Sequence, residues 1–179
     1  MKRSIFLAVA IFLAAFAAHP VSAKEIVPNA ASIVGENKVY IKADGLACYF
    51  CAYGLERFFR QSGKIASYDI DMKKGIVEAS FIKGKPLINE AELNQIVYDA
   101  GYTPRSITYE LVGQVGVRDG GFYFTVEDTG QEFTLETKGA LSAAAEKLAG
   151  KTVRMKSKVK ESDSKAMVFE PISFEETGK

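Results

Sequence analysis

The chain has 179 residues, with 23 Lys and Arg against 22 Asp and Glu and a formal net charge of +1. That length accommodates one or two ordinary domains with a sizeable core. The balanced charge lacks the basic excess with which nucleic-acid binders hold phosphate. With 2 Cys, 1 His and no Trp, catalytic and metal chemistry have few residues to draw on.

Residues 1–23 read as a cleaved secretory signal peptide. Lys2 and Arg3 open it, an apolar run from Ile5 to Ala18 follows, and Val21-Ser22-Ala23 forms the cleavage site. The expected location is therefore the periplasm. Cleavage removes two of the 23 basic side chains and no acidic one, leaving 21 against 22, a net of −1. It also removes His19, the only histidine. The mature chain then has no Ser-His-Asp triad, no Cys-His dyad and no His-ligated zinc site. Residues 24–35 read as a poorly ordered lead-in.

From 36 to 110 the pattern predicts one domain. Lys38 to Asp44 alternates apolar and polar residues, as a half-buried strand does. Gly45 to Ala47 begin a loop. Leu55, Phe58 and Phe59 give Cys51 to Gln61 a helical stripe, which Gly63 ends. Ile65 to Met72 and Ile76 to Ile82 flank the turn Lys73-Lys74-Gly75 and predict a hairpin. Asn89 is the expected N-cap of a second helix, with Glu92 in capping-box position, Leu93, Ile96 and Val97 facing inward, and Gly101 closing it. Ser106 to Val112 is a final strand. This order is that of the ferredoxin-like βαββαβ plan.

Residues 111–175 predict a second domain, with 176–179 as a tail. Strands are expected over 112–118, 122–127, 131–136, 152–160 and 166–174. Asp119-Gly120-Gly121 marks a hairpin turn, and an Ala-rich helix spans 139–148. Five strands with a helix between the third and fourth match a small OB-like β-barrel. The expected fold class is thus α+β, a ferredoxin-like domain followed by an OB-like barrel. Residues 110–179 hold 10 basic and 12 acidic groups, so Phe122, Phe124 and Phe133 are expected in the barrel core and no nucleic acid is expected as partner. Arg154, Lys156, Lys158 and Lys160 alternate along one strand and predict a solvated outer face that discourages edge pairing.

The chemical signal is Cys48-Tyr49-Phe50-Cys51, between the first strand and first helix. A helix N-terminus presents unpaired N–H groups and positive potential, which favour thiolate. Two thiolates this close can share one soft ion, and without further Cys or mature His the set favours Cu(I) or Hg(II) over Zn(II). Spacing alone leaves a structural disulfide equally open, and a thiol-disulfide oxidoreductase is a further reading. No Gly-rich phosphate loop, carboxylate pair or nucleophile motif appears, so no catalytic residue and no enzyme activity are expected.

Asp44-Gly45-Leu46-Ala47-Cys48-Tyr49-Phe50-Cys51 resembles the metal-binding loop of the heavy-metal-associated domain, the family of copper chaperones and the periplasmic mercuric-ion binding protein. Asp99-Ala100-Gly101-Tyr102 resembles that family's second loop. The resemblance implies that Cys48 and Cys51 are the metal ligands and that Tyr102 is their neighbour. It implies one soft metal ion, passed by ligand exchange to a metal-donor or metal-acceptor protein such as a membrane transporter. Leu46 stands where the family usually has Met, and Tyr49-Phe50 where it favours small or polar residues. Oligomeric state is not legible.

Overall fold

The computed structural model describes residues 24–25, 33–46, 52–160 and 167–177. The signal segment, both cysteines with Tyr49-Phe50, most of the lead-in and the turn expected at 161–165 lie outside these residues. The strands are β1 (Lys24–Glu25), β2 (Val34–Asp44), β3 (Ile65–Asp71), β4 (Ile76–Ile82), β5 (Thr103–Arg118), β6 (Gly121–Val126), β7 (Glu132–Leu135), β8 (Thr152–Lys160) and β9 (Val168–Glu176). The helices are α1 (Ala52–Ser62), α2 (Glu90–Asp99) and α3 (Ala140–Lys147).

Local signals account for most element boundaries. Alternation in β2 buries Val39, Ile41 and Ala43 and leaves Lys42 and Asp44 exposed. The Asn89 carboxamide caps α2 by accepting a hydrogen bond from the Glu92 N–H at 2.7 Å. The Glu92 carboxylate turns to Lys64, 3.0 Å away. Asp119 and Gly120 both take positive φ, 52° and 75°, the geometry of a tight hairpin turn between β5 and β6.

The expected fold class is overturned. In place of an α+β chain with a ferredoxin-like βαββαβ domain and a separate barrel, the protein is mostly β, 53% strand and 21% helix over the described residues. Its strands form one nine-stranded sheet in the order β1-β3-β4-β2-β5-β6-β7-β9-β8, and β8 pairs back on β5. The last five strands therefore close a barrel, which is consistent with an OB-type barrel. The physical reason is β5. Where the sequence suggests two strands meeting near Val112, one 16-residue strand runs through. Its first half pairs with β2 and its second with β6, while β8 lies along the middle. Residues 110 and 111, the expected domain boundary, fall inside it.

Two glycines of β5 let residues of β6 lie close over it. A Cβ at Gly113 would lie 2.1 Å from the Thr125 carbonyl oxygen, and one at Gly116 would lie 2.1 Å from Cζ of Tyr123. The sequence places both within a strand, and in the fold they permit close approach.

One core runs through the whole sheet. Phe81 stacks on Tyr109 with ring centroids 6.5 Å apart. Tyr109 meets the edge of Phe169 at 5.4 Å, and Phe169 meets Phe133 at 4.9 Å. Helices α1 and α2 bury Leu55, Phe59, Leu93 and Val97 in the same cluster. Phe124 and Phe133 are buried inside the barrel, with Phe122 partly buried against the same core.

Where the lead-in is described, at residues 24–25 and 33–35, it includes strand. β2 begins at Val34, and β1 pairs antiparallel with β3. Asn37, 2% exposed, explains the longer strand. Its Oδ1 accepts from the Val112 N–H at 2.8 Å, and its Nδ2 donates to Asp128 Oδ1 at 2.7 Å. Asp128 Oδ2 in turn accepts from the Gly84 N–H at 3.3 Å. This network, buried at Asn37 and open to solvent at Gly84, ties the start of β2 to β5 and to the β6–β7 turn, contacts that no local pattern encodes.

Candidate functional site

Residues 45–51, the connection that carries Cys48 and Cys51, join the end of β2 to the start of α1. Both cysteines lie outside the described residues. The surroundings of the connection are described on three sides. At its start, Gly45 has φ 92°, a conformation that favours glycine, and Leu46 is buried in the core.

At its end, α1 has no acidic residue in its first turn, so no side-chain carboxylate there offsets the positive end of the helix dipole. Gly54 packs against the end of α2, where a Cβ would lie 3.1 Å from the Ala100 carbonyl oxygen. Gly54 therefore sets how closely the start of α1 approaches the 100–102 turn. The sequence reading missed it, although a glycine within a helical pattern is a sign of close packing. Further along α1, Glu56 is nearly buried. It pairs with Arg60 at 3.0 Å and accepts from the Tyr68 hydroxyl at 3.3 Å, anchoring the helix to β3.

The third side is the end of α2. The Gly101 N–H donates to the Tyr98 carbonyl at 2.9 Å and the Tyr102 N–H to the Val97 carbonyl at 3.1 Å. With Gly101 at φ 90°, this is a Schellman ending. It reverses the chain and lays Tyr102 beside Gly45: a Cβ on that glycine would sit 3.5 Å from the Tyr102 ring. The structure thus brings together Gly45, Leu46 and Tyr102, the described parts of the two loops singled out from sequence. Tyr102 is 6% exposed, and burial alone raises its phenol pKa above the ordinary value. Its hydroxyl is the one buried side-chain polar atom without a hydrogen-bond partner among the described residues.

Just outside, Arg105 Nε donates to Asp44 Oδ2 at 2.6 Å, joining the ends of β2 and β5 that lead into the two loops. Tyr53 on α1 and Tyr98 on α2 are exposed, at 70% and 71%. Among the described residues no group of three or more His, Cys, Asp or Glu is placed to hold a metal ion.

Elsewhere, the outer barrel face carries Tyr123, seated on Gly116, with the Arg118 guanidinium 4.5 Å from the ring centroid and Arg118 paired to Glu132. The charged strand β8 is largely paired: Arg154 and Lys156 with Glu110, and Lys160 with Glu136. A cleft of about 360 Å³ opens beside Gly35, Glu36, Asn37, Lys83 and Asp128, and contains none of the residues expected to form the site.

No protein-family model matches the chain, and no curated protein matches it. A solved structure named "Crosstalk between Cu(I) and Zn(II) homeostasis" is similar at 20% identity. The match covers 38% of this chain and 94% of that one, with a TM-score of 0.33.

Proposed function

We propose that the protein carries a soft metal ion, Cu(I) or Hg(II), on the thiolates of Cys48 and Cys51, as an exported carrier and not a catalyst. The observation that carries the reading is the frame around the 45–51 connection. It holds two cysteines separated by two residues and leads directly into an 11-residue helix with no acid in its first turn. Such a frame favours thiolate over thiol by positive potential and unpaired N–H groups. Two thiolates bind a linear or low-coordinate soft ion without a third ligand. Loading displaces only the protons that the two sulfurs still hold as thiols, at most two, and involves no electron transfer. Delivery to a donor or acceptor protein, such as a membrane transporter, proceeds when an incoming thiolate joins the ion before one of the original sulfurs leaves. The resemblance of 44–51 to a heavy-metal-associated loop agrees with this chemistry.

The test is anaerobic titration of the reduced mature chain with Cu(I) or Hg(II). One equivalent bound tightly, and lost in Cys48→Ser and in Cys51→Ser, is the expected result. Reduced protein that binds neither ion refutes the reading. Protein that instead accelerates insulin reduction beyond a free dithiol is an oxidoreductase.

A further inference from the structure

We infer that the outer edge of β3 is a pairing surface for a second copy of this chain, and that β1 is the guard that keeps the second copy off it. The inference is independent of the metal reading. Among the described residues β3 ends the sheet with β1 alone outside it, and β1 covers two of its seven residues, Tyr68 and Ser67. At the other end the sheet closes, because β8 pairs back on β5. The unpaired N–H and C=O groups of an edge strand are a template for another strand, and proteins blunt such edges with Pro or charged side chains. β9, whose pairing with β7 involves Val168 and Phe169, has that protection in Glu170, Pro171, Glu175 and Glu176. β3 has no Pro and no basic residue, and Ile65 to Tyr68 are uncharged and buried. Its pairing with β4 is irregular between Ile65 and Ser67, which leaves Ser67 to Asp71 as a regular edge.

That edge is self-complementary. In an antiparallel pair of β3 strands related by a two-fold axis through Tyr68, the two Tyr68 residues lie opposite one another, and Ser67 of each copy faces Asp69 of the other. Tyr68 points to the helix-covered side, where it packs on Phe59 with ring centroids 5.7 Å apart. Ser67 and Asp69, its neighbours in sequence, point to the opposite face. There a serine hydroxyl can donate to the exposed Asp69 carboxylate of the other copy. Moving the axis to Asp69 or to Ile70 would set Asp69 against Asp69 or against Asp71, and like charges directly opposed are destabilising. The favoured register therefore uses Ser67 and Tyr68, the two residues that β1 occupies. A second copy and β1 compete for the same backbone groups, and β1, two residues long, holds them with few hydrogen bonds.

The test uses the full mature chain, metal-free and with reductant, so that no disulfide links two copies. Wild type and Lys24→Pro/Glu25→Pro are compared by sedimentation over a range of concentrations. The prolines remove both β1 N–H groups and set their rings on the pairing edge. A net hydrogen bond is worth roughly 2- to 10-fold in an equilibrium constant, and both copies release β1 when they pair. The double variant is therefore expected to dimerise about 10- to 100-fold more tightly than wild type. The outward-facing β3 amides of the variant are expected to gain protection from hydrogen exchange as its concentration rises. Adding Ser67→Asp, which opposes a carboxylate to Asp69, is expected to return the variant to monomer with its circular dichroism unchanged. A double variant that associates no more than wild type overturns the inference. So does a dimer whose β3 amides gain no protection, or one that Ser67→Asp leaves intact.

Discussion

Removing one oxygen from the centre of the sheet tests whether the core is continuous. Tyr109 is wholly buried on β5, between Phe81 of the helix-covered half and Phe169 of the barrel. Its hydroxyl donates to the Ile88 carbonyl at 2.8 Å, and Ile88 is also fully buried. Tyr109→Phe keeps the ring and both aromatic contacts but leaves that carbonyl without a donor. An unsatisfied buried acceptor costs about 1–3 kcal/mol. At roughly 2–4 °C per kcal/mol for a chain of this size, a cost near 2 kcal/mol lowers the thermal midpoint by about 4–8 °C. The chain has no Trp. Unfolding is therefore followed by far-UV circular dichroism, with amide NMR signals from β3 and β7 read in parallel. Because one core spans both ends of the sheet, both sets of signals are expected to move together and the urea m-value to stay unchanged. An unchanged midpoint would show that the hydrogen bond contributes nothing. A fall confined to β3 would show that the two ends unfold independently, and the continuous-core argument would be wrong.

Two further predictions follow from single contacts. Gly116→Ala forces a Cβ into the space of the Tyr123 ring, 2.1 Å from Cζ, and is expected to cost about 1–3 kcal/mol by overpacking. In a Tyr123→Ala background most of that cost is expected to vanish, and a double-mutant cycle by urea unfolding that shows no coupling would refute the close approach. The Tyr40 phenol is raised from 10.0 to about 12, first by burial and then by the negative charges of Glu110 and Glu78. With the folded value above the unfolded one, its contribution to stability is whole below pH 10.0 and is lost as pH rises to about 12. Tyr40→Phe is expected to flatten this alkaline fall in the urea midpoint, and parallel falls in both proteins would contradict the assignment.

Elements governed by neighbours in sequence were legible before any coordinates. The alternation of Lys38 to Asp44, the Asn89 cap, the Gly101 stop and the Asp119-Gly120 turn each depend on a few consecutive residues. Of the candidate site, the described residues include the flanks, Gly45, Leu46 and Tyr102, and neither cysteine. Spacing picked out Cys48 and Cys51, and the resemblance picked out Tyr102. The cysteines' own geometry lies outside the described residues. Gly54 went unremarked because its importance lies in a contact with Ala100 on another helix.

What the amino-acid order determined by itself is the set of local segments and the donor chemistry: two thiols, a single histidine and near-neutral charge. Only the tertiary structure decided that Ser106 to Arg118 is spanned by a single strand, that the nine strands of the described residues share one sheet, and that Asn37 binds β2 to the far turn. It also decided that Tyr102 carries an unmet hydroxyl beside Gly45. Hydrogen bonds within a turn or a helix cap form between neighbours whatever lies elsewhere in the chain. Strand continuity, register and burial instead depend on partners dozens of residues away, such as Phe169 against Tyr109, and exist only once those partners have met.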